Sequence, residues 1–243
     1  MNGFWAVYKR ELKGYFATPV AYVFLVIFLF VAGYWTFRDG FFEQRQADMT
    51  IFFRNLPLLL VFMAPATAMR LWAEERKNGS VELLFTLPIT VPQAVIGKFL
   101  AAWIFLAIAL VLTFPIPAIV MYLGKPDIGL IALGYVGSLL MAGVFLAIGS
   151  FFSAVSKNQV VSVILAVVAC IALVLAGWPT TINYLSATLP SGLLNVVEGL
   201  SLQNHFDSML KGVIQFGSIA YFVVLILGWV AACSIILDER KAS

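Results

Sequence analysis

Long apolar segments with few or no charges set the strictest limit on how this chain can fold. Six such segments each suffice, at about 1.5 Å per helical residue, to cross a hydrocarbon core of about 30 Å. Charged residues make up only 11% of the sequence, against about 25% in soluble domains. We therefore predict an all-α polytopic membrane protein, a single domain over residues 1–243 with six transmembrane helices. The predicted spans are residues 20–37, 52–72, 91–123, 130–152, 160–178 and 213–237.

The segment before the first span, residues 2–16, has the pattern of an amphipathic helix. Apolar and aromatic residues recur on one helical face and basic residues on the other, which is typical of a helix lying in the membrane interface. A frayed basic tail is the alternative. The apolar face consists of Phe4, Trp5, Tyr8, Leu12, Tyr15 and Phe16, and the basic face of Lys9, Arg10 and Lys13.

Prolines, glycines and one lysine indicate local features of the spans. Residues 91–123 are too many for one straight crossing, and Pro115 and Pro117 should kink or end the far half. Lys98, near the start of this segment, should extend its ammonium group towards the interface. Gly149 and Ser153 form a small-xxx-small pair, which predicts close helix packing in the fourth span.

Residues 179–212 are too apolar for a free loop and too interrupted for a span. We predict short helices that re-enter the external leaflet before the last span, because irregular backbone in a membrane must be packed against protein.

The distribution of basic residues predicts the orientation. With six spans both termini lie on one side, and this side holds most of the 15 lysines and arginines. The positive-inside rule makes it the cytoplasm, which predicts a multi-pass protein with both termini cytoplasmic. The cytoplasmic set is Lys9, Arg10, Lys13, Arg70, Arg76, Lys77, Lys98, Lys157, Arg240 and Lys241; the external set is Arg38, Arg45, Arg54, Lys125 and Lys211.

Several classes of function lack the residues they need. No Asp, Glu, Lys, Arg or His lies in the middle of a predicted span, so ion coupling there is unsupported. The single histidine, His205, lies in the external segment, and its pairing with Asp207 is a weak metal signal for which capping or packing is the better account. The chain has no phosphate-binding loop and no basic stripe for nucleic acid. We expect no enzyme activity, cofactor or metal in this chain, so energy must enter at a cytoplasmic surface.

The densest charge in the chain lies in residues 73–90, between the second and third spans. Glu74, Glu75, Arg76 and Lys77 precede the turn 78–80, in which a serine can cap a short apolar helix. An apolar helix beside charged residues suits docking into a groove on a partner protein. An ordinary cytoplasmic loop is the alternative.

This stretch also carries a family resemblance. Residues 75–84, ERKNGSVELL, followed by Pro88, resemble the E-[RK]-x-x-G-[ST]-x-E-x-L-L-x-x-P run of type-2 ABC-exporter permeases, most closely those of gliding-motility-associated systems. Residues 201–206, SLQNHF, and 211–214, KGVI, resemble a second run before the last span, with Leu202 in place of the usual proline. The resemblance covers essentially the whole chain.

The resemblance implies an exporter permease that works with a separate ABC ATPase carrying the ATP and Mg, and with a second, identical or related permease. A mechanotransmitting permease, which works an external protein without moving substrate and uses a companion external or auxiliary subunit, is the alternative. Membrane lipid is a further expected partner. The implied ATPase-binding residues of the coupling helix region are Glu74, Glu75, Arg76, Gly79, Ser80, Glu82, Leu83, Leu84 and Pro88, framed by Phe4, Trp5, Tyr8, Arg10 and Lys13.

Overall fold

The computed structural model describes residues 3–38, 48–79, 89–178, 181–183, 199, 201–212 and 215–242, and these residues contain helices and no strand. The prediction of an all-α protein is confirmed for this part of the chain. The main helices are α1 (Gly3–Ala17), α2 (Pro19–Arg38), α3 (Thr50–Lys77), α4 (Val91–Val111), α5 (Pro115–Leu123), α6 (Ile128–Val155), α7 (Gln159–Leu175), α8 (Leu202–Leu210) and α9 (Phe216–Ala242).

Five segments in the described residues are long and apolar enough to cross a membrane: α2, α3, α4 together with α5, α6, and α9. They confirm a multi-pass membrane protein. Helix α7 is also apolar, but its 17 residues fall short of the others. The sixth span predicted for residues 160–178 therefore stays a prediction.

Helices α3 and α6 form the centre of the bundle. In the most apolar stretch of each, 61% of the residues are buried, against 28% in α2 and 22% in α9. Glycine permits the close approach: a Cβ atom added at Gly149 of α6 would lie 2.6 Å from the Cβ atom of Ala68 and 3.2 Å from the backbone of Pro65 in α3. The predicted small-residue packing face of this span is present.

The third apolar segment is divided where its prolines predict. Helix α4 ends at Val111, a turn follows, and α5 begins at Pro115. At the break, the hydroxyl groups of Thr113 and Tyr135 lie 2.7 Å apart, and Thr113 also donates a hydrogen bond to the carbonyl oxygen of Leu110 at 2.6 Å. The polar groups at the break thus have partners within the bundle.

Helix α8 comes from the segment predicted to re-enter the membrane, although residues 179–180, 184–198 and 200 lie outside the described residues. The Ser201 hydroxyl caps α8 by accepting a hydrogen bond from the backbone N–H of Asn204 at 3.1 Å. Phe206 is fully buried beside Gly137 of α6. The His205 ring stacks on Tyr221 of α9 with centroids 4.1 Å apart. The second family-like run therefore anchors α8 to α6 and α9.

Candidate functional site

Helix α3 is longer than the hydrocarbon core of a membrane is thick. Its 28 residues extend about 42 Å, against a hydrocarbon core of about 30 Å. Its last turns carry the charges of the predicted coupling region. The helix ends at Asn78, whose backbone N–H donates to the carbonyl oxygen of Glu74 at 3.0 Å, and Gly79 follows with a φ of 71°, a conformation that favours glycine. We call the region where these turns meet α1 and the start of α4 the charged end of the bundle.

A buried lysine joins three helices at the charged end. The ammonium group of Lys98 in α4 lies 2.8 Å from a carboxylate oxygen of Glu75 in α3 and 3.4 Å from one of Glu11 in α1. Arg10 contacts the same oxygen atoms of Glu11 and Glu75 at 2.8 and 3.4 Å. We call these four residues the Lys98 cluster. It is a charged network that joins the end of α3 to α1 and α4.

The surroundings of Lys98 explain how a charge can be buried there. Its side chain is only 2% exposed, while those of Glu11 and Glu75 keep 20% exposure. It also donates a hydrogen bond to the carbonyl oxygen of Leu71 at 2.8 Å and lies 4.8 Å above the ring of Trp72. Paired carboxylates and hydrogen bonds offset the cost of desolvating the ammonium group. The predicted extension of Lys98 towards the interface stays a prediction; what the sequence did not predict is that its ammonium group is buried among partners from other helices.

Helix α6 holds the same end of α3 through Ser153. The Ser153 hydroxyl accepts hydrogen bonds from the backbone N–H groups of Trp72 and Ala73 at 3.1 and 3.0 Å. It also donates to the carbonyl oxygen of Met69 at 2.9 Å. A side chain that enters a backbone ladder in this way links two helices and can bend one of them. Ser153 therefore ties α6 to the last turns of α3.

Two further hydrogen bonds fix these turns. Arg76 donates to the carbonyl oxygen of Ala154 at 2.6 Å, near the end of α6. The side-chain amide of Gln159, at the start of α7, donates to Glu74 at 3.3 Å. Neighbouring α1, α4, α6 and α7 therefore all contact the charged turns of α3.

The structure thus gives Glu74, Glu75 and Arg76 partners within the chain. The predicted contact of these residues with an ATPase stays a prediction. Gly79 is placed at the helix end, whereas Ser80, Glu82, Leu83, Leu84 and Pro88 lie outside the described residues.

The framing residues lie on α1, whose predicted place in a membrane interface remains a prediction. Phe4, Trp5 and Tyr8 form an aromatic cluster with ring centroids 5.5 to 6.3 Å apart, and Trp5 is exposed. Arg10 belongs to the Lys98 cluster, and Lys13 is exposed. Sequence reasoning did not identify Glu11 as a residue of the charged end, nor the pairing of Lys98 and the hydrogen bonds of Ser153. The advance signals were a lone acid within the basic run of α1 and a lysine in an otherwise apolar segment.

A cleft opens beside the Lys98 cluster, between α1, α3 and α4, with a volume of about 360 Å³. Within it Arg70 and Glu74 of α3 form an ion pair, with the Arg70 Nε 3.1 Å from a carboxylate oxygen. Tyr15 donates a hydrogen bond to the carbonyl oxygen of Thr67 at 3.2 Å. Burial and then the nearby Glu11 carboxylate raise the pKa of the Tyr15 hydroxyl, so it stays a neutral donor. The lining residues are Glu11, Gly14, Tyr15, Thr18, Arg70, Leu71, Glu74, Glu75, Asn78 and Lys98.

Comparison with known proteins identifies one family. The family model for the ABC-2 family transporter protein matches residues 9–173, well over half of the chain. The matched region contains the whole Lys98 cluster and Ser153. No curated protein matches the chain.

Proposed function

Because the chain belongs to the ABC-2 family of transporter membrane proteins, we propose that it is the permease subunit of an ATP-driven exporter in the bacterial inner membrane. Membership of this family makes the chain a non-catalytic, multi-pass subunit of an ABC transporter, and it implies that the chain associates with an ABC ATPase subunit. The exporter class and the gliding-motility-associated branch rest on the two sequence runs described above. The same resemblance supports a second permease subunit in the complex.

The proposal is supported chiefly by the contacts that hold the last turns of α3 against the neighbouring helices. Its charged turns lead directly into residues 80–88 and contact α1, α4, α6 and α7 through the Lys98 cluster, Ser153, Arg76 and Gln159. A displacement applied at residues 80–88 would therefore move α3 together with its neighbours instead of bending a loop. Since α3 and α6 form the buried centre of the bundle, such motion would reach the membrane-spanning region.

The proposed orientation places the charged end and both termini in the cytoplasm. Support comes from the basic residues at this end, including Arg10, Arg76 and Lys77, because short cytoplasmic segments carry an excess of positive charge. An ATPase could then reach α1 and residues 73–90 from below, and it would supply the ATP and Mg.

A single substitution in the coupling region tests the proposal. Leu84→Asp introduces a charge into the apolar side of the predicted coupling helix, so we expect the cognate ATPase no longer to co-purify with the permease. Leu123→Asp is the matched control, because Leu123 is an exposed leucine at the end of α5, opposite the charged end. Both variants are checked for membrane insertion. Full ATPase recovery with Leu84→Asp would show that the docking assignment is wrong.

A further inference from the structure

We propose that the cleft between α1, α3 and α4 binds the headgroup of an amine-bearing phospholipid, with part of one acyl chain lying between α2 and α3. The proposal requires a membrane protein but no ATPase partner, so it stands or falls independently of the docking proposal.

The cleft lies at the level of lipid headgroups. Arg70 follows Thr50, the first residue of α3, by twenty positions, or about 30 Å of helix, which equals the thickness of the hydrocarbon core. Helix α2 begins at Pro19, beside the cleft residue Thr18, so it enters the membrane at the same end. A polar cleft at this depth faces the region that phosphates and headgroups occupy.

Arg70 can bind a phosphate. Among the described residues its guanidinium group contacts only Glu74, through Nε, and its side chain is 35% exposed. The two terminal amino groups remain available to donate hydrogen bonds into the cleft. A planar guanidinium group that presents parallel N–H groups is well suited to phosphate oxygen atoms.

The charge of the cleft favours an amine beside that phosphate. Three carboxylates line it, against the two cations Arg70 and Lys98. Lys98 engages two of the carboxylates, Glu11 and Glu75, whereas the Glu74 side chain is 40% exposed. Arg70 and Gln159 both contact Glu74 through Oε2, so among the described residues Oε1 remains for an ammonium group beside the phosphate-binding Arg70, which matches the two charges of an ethanolamine headgroup. A glycerol headgroup also carries the phosphate charge, but it has no ammonium group that could pair with the Glu74 carboxylate.

An apolar slot continues from the cleft into the membrane-spanning region. It has a volume of about 20 Å³ and shares Tyr15, Thr18 and Arg70 with the cleft. At this size the slot holds no more than the first one or two methylene groups of an acyl chain, and its continuity with the cleft matches the position of those groups beside a headgroup. The remaining lining residues are Val20, Ala21, Phe24, Ala66, Thr67 and Phe105.

Native mass spectrometry of the full-length permease in detergent tests the site. The probes are phosphatidylethanolamine and phosphatidylglycerol with identical acyl chains, titrated against wild type and variants. We expect wild type to bind the ethanolamine lipid more tightly, and Arg70→Gln to weaken that binding about tenfold or more, because a charge-assisted contact is lost. Arg54→Gln is the matched control, since Arg54 is an exposed arginine near the opposite end of the same helix. It should leave the affinity unchanged.

Two further variants test the parts of the site separately, and the melting temperature of each variant without added lipid establishes that it is folded. Glu74→Gln should abolish the preference for phosphatidylethanolamine over phosphatidylglycerol, whereas the variant should still bind both lipids through the phosphate. Ala66→Phe should weaken both lipids by filling the slot. Equal affinities of Arg70→Gln and Arg54→Gln for the ethanolamine lipid would overturn the proposal, as would a wild-type preference for phosphatidylglycerol.

Discussion

Removal of the Lys98 ammonium group should destabilise the charged end strongly. Lys98→Met keeps the length of the side chain but removes one of the cations that contact Glu11 and Glu75, and Arg10, which also contacts both, is half exposed. The Leu71 carbonyl also loses a hydrogen-bond donor at 2.8 Å. The bundle would thus retain two partly buried carboxylates whose charges the wild-type protein neutralises.

The size of the effect follows from burial. Breaking a buried ion pair by removing one partner costs about 3–5 kcal/mol. Because water still reaches one fifth of each glutamate side chain, the lower end applies, about 3 kcal/mol. For a chain of this size, each kcal/mol lowers the melting temperature by about 2–4 °C, which gives a decrease of about 6–12 °C.

Tryptophan fluorescence during thermal unfolding in lipid nanodiscs measures the change. Lys157→Met is the matched control, because Lys157 is an exposed lysine between α6 and α7, and its melting temperature should equal that of wild type. In the double variant Lys98→Met/Glu75→Gln one uncompensated charge is removed, so about 1–2 kcal/mol of the loss should be recovered. The reasoning would be refuted if Lys98→Met had the melting temperature of wild type. It would also be refuted if the double variant lost as much free energy of unfolding as the two single variants together.

Three further predictions concern the packing of the bundle and helix α8. Ser153→Ala should lower the free energy of unfolding by about 1–3 kcal/mol, because backbone groups at Met69, Trp72 and Ala73 lose a partner; unchanged thermal unfolding would contradict this. Gly149→Ala should lower the free energy of unfolding by about 1–3 kcal/mol through overpacking against α3. Gly33→Ala is the control and should be tolerated, because a Cβ atom added there meets nothing within 4 Å. Equal decreases in stability for the two variants would argue against the close approach of α6 and α3. Burial raises the pKa of Asp207 above its ordinary value of 3.8, despite the hydrogen bond from Gln203. The folded state therefore binds a proton at this carboxyl group more tightly than the unfolded state does, and it loses stability when the group is ionised. Asp207→Asn should therefore melt above wild type at neutral pH, and the difference should shrink as the pH falls through the raised pKa and vanish below 3.8; a difference independent of pH would exclude this cause.

The sequence was sufficient to predict the features that depend on composition and local pattern. Apolar segments of spanning length predicted the helices, and the break near Pro115 followed from the missing N–H groups of proline. The small residues Gly149 and Ser153 indicated the packing face of α6. The charged run after the second span predicted a coupling region, of which residues 80–88 lie outside the described residues.

Features that depend on contacts between distant parts of the chain could not be predicted in this way. Lys98 was placed at the interface because a lone lysine near a span end usually extends to water. Its burial depends on Glu11 and Glu75, which belong to two other helices and meet only after the bundle packs. Ser153 was recognised by its size, yet its hydroxyl bonds to the backbone of α3 follow from the relative position of two helices. The cleft proposed to bind lipid likewise requires the placement of α1 against α3 and α4.

Site-specific photo-crosslinking tests the central claim, that an ATPase docks at the charged end, most directly. A benzophenone amino acid replaces either Lys77, at the end of α3, or Lys125, in the loop between α5 and α6; both are exposed lysines at opposite ends of the bundle. We predict a covalent adduct between permease and ATPase from position 77 and none from position 125. An adduct from position 125 with none from position 77 would contradict the account.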